Sequence, residues 1–453
     1  MTPSVPVTSR LLATSGFLAL AMLLGGCGSG GSSSSTSAQV TSVGKQVAEY
    51  MQRWYWWLDE LPAADPASFS TGPDALAALR VPADRYSFSE PTASFNAFFV
   101  SGSTTGFGIG YEVEGAGPAA ALKIRYTQPQ SNAALALLRG DRIVSIDGET
   151  IGDLIAQDRL DDAFGPAEEG ISRRFDIERM AAGAPVRQSI VLTKSRYQVA
   201  ASFGARVLGA AETGLGRPVA YLHLFTFTSS SSTEWLNLLA NLQAQGFQDL
   251  VVDLRDNGGG SVAAANQIAS SLAASQAGQP SVGLRFNRLN TSSNQQLSFV
   301  PTTPALEPQR LVWLTSSRTC SAAEELIHAL EPYRASASTA RIGASTCGKP
   351  VGFTPQIFGD RTYSIVTFQS ANRDGAATYF SGLPPTCAVA DPGMAPYGSM
   401  ADPLLNAALQ WLGSGSCGAV QNTMTEKALG APSAEPLAGV KQAQRFTDWL
   451  GLR

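Results

Sequence analysis

The chain holds 453 residues, 15% of them charged, with 32 lysines and arginines against 36 aspartates and glutamates and a formal charge of −4. No basic cluster stands out along it, which argues against nucleic acid as a partner. The length exceeds one typical domain, so several units around a substantial core are expected.

Arg10 precedes an apolar segment from Leu11 to Leu24, which closes on Gly25-Gly26-Cys27. The run is too short for a comfortable bilayer span, and small residues lead into a cysteine. Residues 1–27 are therefore expected to be a secretory signal, cleaved before Cys27 with acylation of its thiol. No aspartate follows Cys27, which in a diderm bacterium favours a cell-envelope lipoprotein on the periplasmic face of the outer membrane. Residues 28–42 begin with nothing but Gly, Ser and Thr from Gly28 to Ser37, a composition that cannot offset its ordering entropy. They read as a flexible tether.

Residues 43–100 are expected to form an N-terminal helical cap. Val47, Tyr50, Met51, Trp54, Tyr55, Trp57, Leu58 and Leu61 recur at helical spacing, so a helix is predicted from Val43 to Leu61, stopped by Pro62. A second helical piece covers Pro73 to Leu79 and leads to Asp84-Arg85-Tyr86-Ser87-Phe88.

Residues 101–197 change character. Gly106-Phe107-Gly108-Ile109-Gly110 is followed by alternating strand-like segments and by Leu138-Arg139-Gly140-Asp141-Arg142-Ile143-Val144-Ser145-Ile146-Asp147-Gly148. This order resembles a PDZ domain. The resemblance implies that backbone N–H groups of the Gly106–Gly110 loop receive a peptide's terminal carboxylate, with Phe107 and Ile109 beside the pocket for its last side chain, while the peptide adds a strand to the sheet edge.

From 198 to 415 strands alternate with helices: strand Val219–Phe227, helix Thr233–Ala244, strand Leu250–Leu254, helix Val262–Leu272, strand Leu311–Leu314, helix Ala322–Leu330. That order implies βαβ crossovers and a largely parallel sheet. Residues 416–453 are polar and Ala-rich and read as an appendage. In an oxidising compartment, Cys320, Cys347, Cys387 and Cys417 allow three disulfide pairings. Cys320 with Cys347 and Cys387 with Cys417 is favoured, because the first bond would tie the residue before Ser321 to a residue two before Lys349. No CxxC spacing appears and only His223 and His328 are present, so a zinc site is not expected.

Three segments carry chemistry. Asp253-Leu254-Arg255-Asp256-Asn257-Gly258-Gly259-Gly260 ends a buried strand in a glycine turn that can bring bare N–H groups to an oxyanion. Ser321 opens a helix, whose N-terminus favours negative charge, although Ser321-x-x-Glu324 is equally a capping box. Lys349 sits among Pro350, Val351 and Phe353, an apolar setting that would depress its amine. His328 lies seven residues after Ser321 on the same predicted helix, about 10 Å along its axis, too far to serve as its base. His223 reads as a sheet residue, and Asp253 and Arg255 as supports of the glycine turn.

Together these segments resemble the C-terminal processing peptidases, or tail-specific proteases, secreted Ser/Lys endopeptidases with a PDZ domain inserted in a crotonase-like core. The resemblance spans roughly residues 45 to 412. It implies a multidomain α/β chain in which Ser321 is the nucleophile, Lys349 the general base, and the N–H groups of Gly259 or Gly260 and of Ala322 the oxyanion donors. It implies no metal or organic cofactor, and a polypeptide substrate recognised by its free C-terminus. Two departures stand out: Phe353 occupies the position, four after the lysine, where many members carry glutamine, and Ala323 replaces a common serine. A non-catalytic, peptide-binding envelope lipoprotein is the rival reading, and the missing glutamine is its support.

Overall fold

The structure, a computed structural model, describes residues 41–418. The expected signal with Cys27, the tether up to residue 40 and the appendage from 419 lie outside the described residues. No helix among the described residues is long and apolar enough to cross a membrane.

A six-stranded sheet organises the main α/β unit, in the order Ala205–Leu208, Val219–His223, Asp249–Asp253, Arg310–Thr315, Thr339–Gly343, Cys387–Ala388. The first pair is antiparallel and the others are parallel. The strands Val219–His223 and Asp249–Asp253 are buried along their whole length, as expected when both faces of a parallel sheet are covered. Helices Ser231–Gln245, Val262–Ser271 and Ala322–Leu330 pack on one face around Leu222, Val252 and Trp313. Helix Pro403–Ser414 covers Val251, Val312 and Ile342 on the other.

Strand register explains how distant segments meet. Asp253 pairs with Leu314, and Thr315 with Gly343, across neighbouring parallel strands. Three consecutive strands thus release their C-terminal loops at one edge, where open α/β sheets place their sites.

Two smaller sheets extend this unit: Gln295–Ser298, Pro280–Phe286, Val366–Asn372 and Val351–Phe353 form one, and Phe88–Pro91 joins Arg361–Ser364 and Gln356–Phe358 in the other. The N-terminal helix runs only from Val43 to Trp54, shorter than the predicted span to Leu61. Tertiary contacts override the periodicity: Trp56 gives its N–H to the carbonyl of Val366, and Tyr55 leaves the helix so that its hydroxyl donates to Asp84 (2.8 Å).

Residues 103–198 form a β-rich module. Its five-stranded antiparallel path runs Ile109–Glu114, Ala121–Thr127, Arg142–Ile146, Ser172–Ala181, Ala184–Thr193, and a pair of strands, Ser103–Gly106 and Ser195–Gln198, closes its neck. Phe107 and Ile109 are fully buried in its core with Ile124, Phe164 and Phe175. A glycine-flanked apolar pair of this kind thus contributes to the module's core. Strand Ile109–Glu114 is an edge of that path, and Tyr111 on it stacks on Phe164, rings 5.6 Å apart.

Beneath the site, the guanidinium of Arg255 is 1% exposed and meets Asp253, Asp391 and Asp402. The three carboxylates hold Arg255 well above its ordinary range. Burial works against the Asp253 charge, but Arg255 prevails and brings that carboxyl down to about 2. Removing the cation takes the ion-pair partner from the buried carboxylates of Asp253 and Asp402, while Asp391 keeps Arg139. Arg255→Met should therefore lower the free energy of unfolding by about 3–5 kcal/mol in a denaturant titration, whereas a loss below about 1 kcal/mol would mean the cluster does not hold the turn.

Candidate active site

Beyond Asp253 the chain enters the glycine turn. Gly259 has φ +101° and Gly260 φ +137°, values that L side chains rarely adopt. A Cβ on Gly259 would lie 2.8 Å from Cys320 O and Ser321 Cβ, and one on Gly260 would lie 2.3 Å from Phe227 O. The turn backbone therefore rests directly against Ser321, and only glycine permits it. Asn257 shapes the turn: its side-chain oxygen accepts the Gly259 N–H (2.8 Å) and its amide donates to Leu224 O (3.0 Å). The Gly259 N–H is thus already engaged. Gly260 and Ala322, at the first helical position where no intrahelical carbonyl is available, supply the other expected N–H groups.

The turn before Ser321 is stitched to this one. Thr319 Oγ1 donates to Leu254 O (2.7 Å), Cys320 N–H to Asn257 O (3.0 Å), and Ser316 Oγ to Arg255 O. Ser321 itself has φ +56°. For a residue with a Cβ this conformation costs on the order of 1–3 kcal/mol and persists only where surroundings over-determine it, as at many functional sites.

Glu324 joins the second and third segments. Its fully buried carboxylate accepts the N–H groups of Ser321 (2.9 Å), Gly348 (2.8 Å) and Lys349 (2.8 Å), and the hydroxyl of Thr346. Burial pushes the acid upward, and these donors pull it back. Serine capping and a functional serine are therefore compatible, because the glutamate that returns the cap also fixes the lysine loop. The Cys320–Cys347 disulfide bonds the same two loops covalently, and Cys387–Cys417 ties the end of helix Pro403–Ser414 to the last strand. Both pairings are the favoured ones.

Lys349 is 4% exposed. Burial pushes its amine down to about 8, against the opposing pull of Asp84 and Glu324. Its Nζ lies 4.7 Å from the ring centre of Phe353 and 5.8 Å from that of Tyr86. Ser321 and Lys349 open onto one cavity of 430 Å³, lined also by Gly258–Gly260, Phe99, Phe286, Phe353 and Phe368. Both histidines lie apart from this arrangement. His328 bonds Glu331 and Ala376 O, and His223 is fully buried, its imidazole pushed down to about 4 by burial.

The N-terminal cap supplies contacts that sequence reasoning missed. Tyr86 donates its hydroxyl to Gly348 O, and Arg85 donates to Cys347 O (2.8 Å). From the β-rich module, Arg125 pairs with Asp256 in the glycine turn, and Arg318 reaches Tyr111 O (3.5 Å) at the module's edge strand. The run Asp84-Arg85-Tyr86 was visible as sequence, but nothing local to it reveals that it docks on a loop about 260 residues away.

Residues 218–389 match Peptidase family S41, and residues 42–88 match the Peptidase S41 N-terminal domain. The chain is 30% identical over 171 residues to a chloroplastic C-terminal processing peptidase of Tetradesmus obliquus, covering 35% of each chain. It is 29% identical over 209 residues to a carboxyl-terminal-processing protease of Synechocystis sp., covering 46% of this chain and 44% of the relative. The matched stretch thus spans a third to under a half of those relatives' lengths. Among solved structures, a protein of Bacteroides fragilis assigned as an S41 protease superposes with a TM-score of 0.65 at 21% identity, over 81% of this chain and 96% of that one. The photosystem II D1 C-terminal processing protease gives 0.50 at 20% identity, over 78% and 94%. At such identities the superpositions establish a shared α/β fold.

Proposed function

Because the chain belongs to peptidase family S41, with C-terminal processing peptidases among its relatives, we propose that it is an exported serine endopeptidase with Ser321 as nucleophile and Lys349 as general base. The single observation that carries this reading is a buried, depressed amine and a strained serine opening onto one cavity beside a side-chain-free turn. Neutral Lys349 takes the Ser321 proton as Oγ attacks a peptide carbonyl. The N–H groups of Gly260 and Ala322 receive the oxyanion, the new ammonium protonates the leaving amine, and water hydrolyses the acyl-enzyme. The engaged N–H of Gly259 leaves that residue the role of permitting close approach.

In this reading the core is crotonase-like and residues 101–197 are a PDZ-like insert that takes a substrate's C-terminal end along the edge strand Ile109–Glu114, with the Gly106–Gly110 loop at its carboxylate. The lipid anchor at Cys27 holds the enzyme in the cell envelope. Deleting the insert should abolish the preference for a free over an amidated C-terminus while Ser321-dependent cleavage of unfolded polypeptides persists. Cleavage by neither form would favour the rival, a peptide-binding lipoprotein. Its support weakens in view of Phe353, whose ring meets Lys349 where a glutamine was expected.

A pH dependence follows. With the amine at about 8, roughly one molecule in ten carries the neutral base at pH 7, against one in a few thousand for an exposed lysine. Hence kcat/KM should rise about tenfold per pH unit below 8 and level off above it. A flat profile between pH 6 and 9 would contradict the assignment.

A further inference from the structure

We propose that Phe353, assisted by Tyr86, is a positioning residue for the base: its π face holds Lys349 Nζ in place and stabilises the ammonium formed when the Ser321 proton arrives. The inference rests on the proposed role of Lys349. A ring attracts a cation within about 6 Å of its centre, and both rings meet that condition, at 4.7 Å for Phe353 and 5.8 Å for Tyr86. Each is fixed from elsewhere. Phe353 pairs with Val366 in its sheet and meets Phe88 edge to face at 5.7 Å. Tyr86 is held through its hydroxyl on Gly348 O and its N–H on Asp84 (2.9 Å). Tyr86 also carries the Arg85 guanidinium 5.2 Å from its ring centre, so Phe353, with its centre closer to Nζ, dominates.

The chemistry gives such a ring a role. A lysine made neutral by burial is ready to accept a proton, but the same burial penalises the ammonium it becomes, and proton transfer stalls. The charged groups facing Lys349 are Asp84 from the N-terminal cap and Glu324 from the nucleophile's helix. Both carboxylates are committed to other donors, Asp84 to Tyr55, Tyr86 and Ser87, Glu324 to three backbone N–H groups. A ring face attracts the cation at much smaller desolvation cost than a new polar partner. The proton balance is simple: it leaves Ser321 Oγ for the Nζ lone pair, rests there as ammonium over Phe353, and passes to the leaving amine.

The test reads the Lys349 titration directly, in the full chain, by trace acetylation with acetic anhydride across pH, scored on the Lys349 peptide by mass spectrometry. A π face predicts that Phe353→Leu lowers the midpoint by about half a unit to one unit, that a trifluorinated phenylalanine at 353 does the same without altering shape, and that Phe353→Tyr restores it. A merely apolar wall predicts the opposite: leucine admits water and raises the midpoint, and fluorination changes nothing. A midpoint unchanged or raised in the fluorinated protein overturns the proposal, even if Phe353→Leu fails to fold. The acid limb of kcat/KM should move with the midpoint. Absence of Ser321-dependent cleavage in the wild type would remove the base role, whereas the titration still decides whether the ring holds the ammonium.

Discussion

Replacing Lys349 with methionine should lower kcat/KM by a factor on the order of 10⁴ and at the same time make the protein more stable at neutral pH. The first effect follows because Ser321 is a weak nucleophile without a base, and neither histidine substitutes: His328 is committed to Glu331 and Ala376, and His223 lies buried with Phe203 and Tyr397. The second follows from the depressed amine. Its ordinary value is 10.5 and its folded value about 8, so the unfolded chain binds the extra proton between those limits. The wild type therefore carries a penalty that is complete below about 8 and vanishes as pH rises through 10.5. Methionine, of similar volume, removes it. The gain at pH 7 should be on the order of 2–3 kcal/mol, shrinking toward zero above pH 10 in chemical denaturation. An inactive variant that is equally stable at both pH values would mean that Lys349 is not desolvated.

The second large effect is expected at Glu324. One carboxylate receives the backbone N–H of Ser321 and those of Gly348 and Lys349, so nucleophile and base are set at their separation by a single side chain. Glu324→Gln keeps the shape but turns an NH₂ toward N–H donors, leaving buried groups unmatched at about 1–3 kcal/mol each. Because a displacement near 1 Å costs about 10² in rate, kcat should fall on the order of 10²–10³ with KM little changed. The Cys320–Cys347 bond joins the same loops and should limit the loss of fold. A variant with wild-type kcat would show that the disulfide alone suffices.

The α/β core was legible because its cues are local. Apolar runs ended by Asp253-Leu254-Arg255-Asp256-Asn257-Gly258-Gly259-Gly260 and by Thr319-Cys320-Ser321 announce strand, turn and helix, and the parallel register then brings the loops together. The serine's strain, with φ +56°, left no mark in composition. What escaped depends on contacts between distant segments. Helical periodicity continued past Trp54, but a carbonyl at Val366 captured the Trp56 N–H and ended the helix there. Glu324 was visible as a cap, yet only the fold shows its carboxylate also serving residues 348 and 349. Phe353 looked like a missing polar partner because a sequence does not show that a ring faces an amine.

The account stands or falls on Ser321. The most direct measurement is cleavage of an unfolded, fluorescently labelled polypeptide by the wild type and by Ser321→Ala at pH 8. The account predicts a loss on the order of 10⁴–10⁶ in Ser321→Ala that is not deepened by adding Lys349→Met, since the two groups act as one unit. Cleavage by Ser321→Ala within about tenfold of the wild-type rate would contradict it.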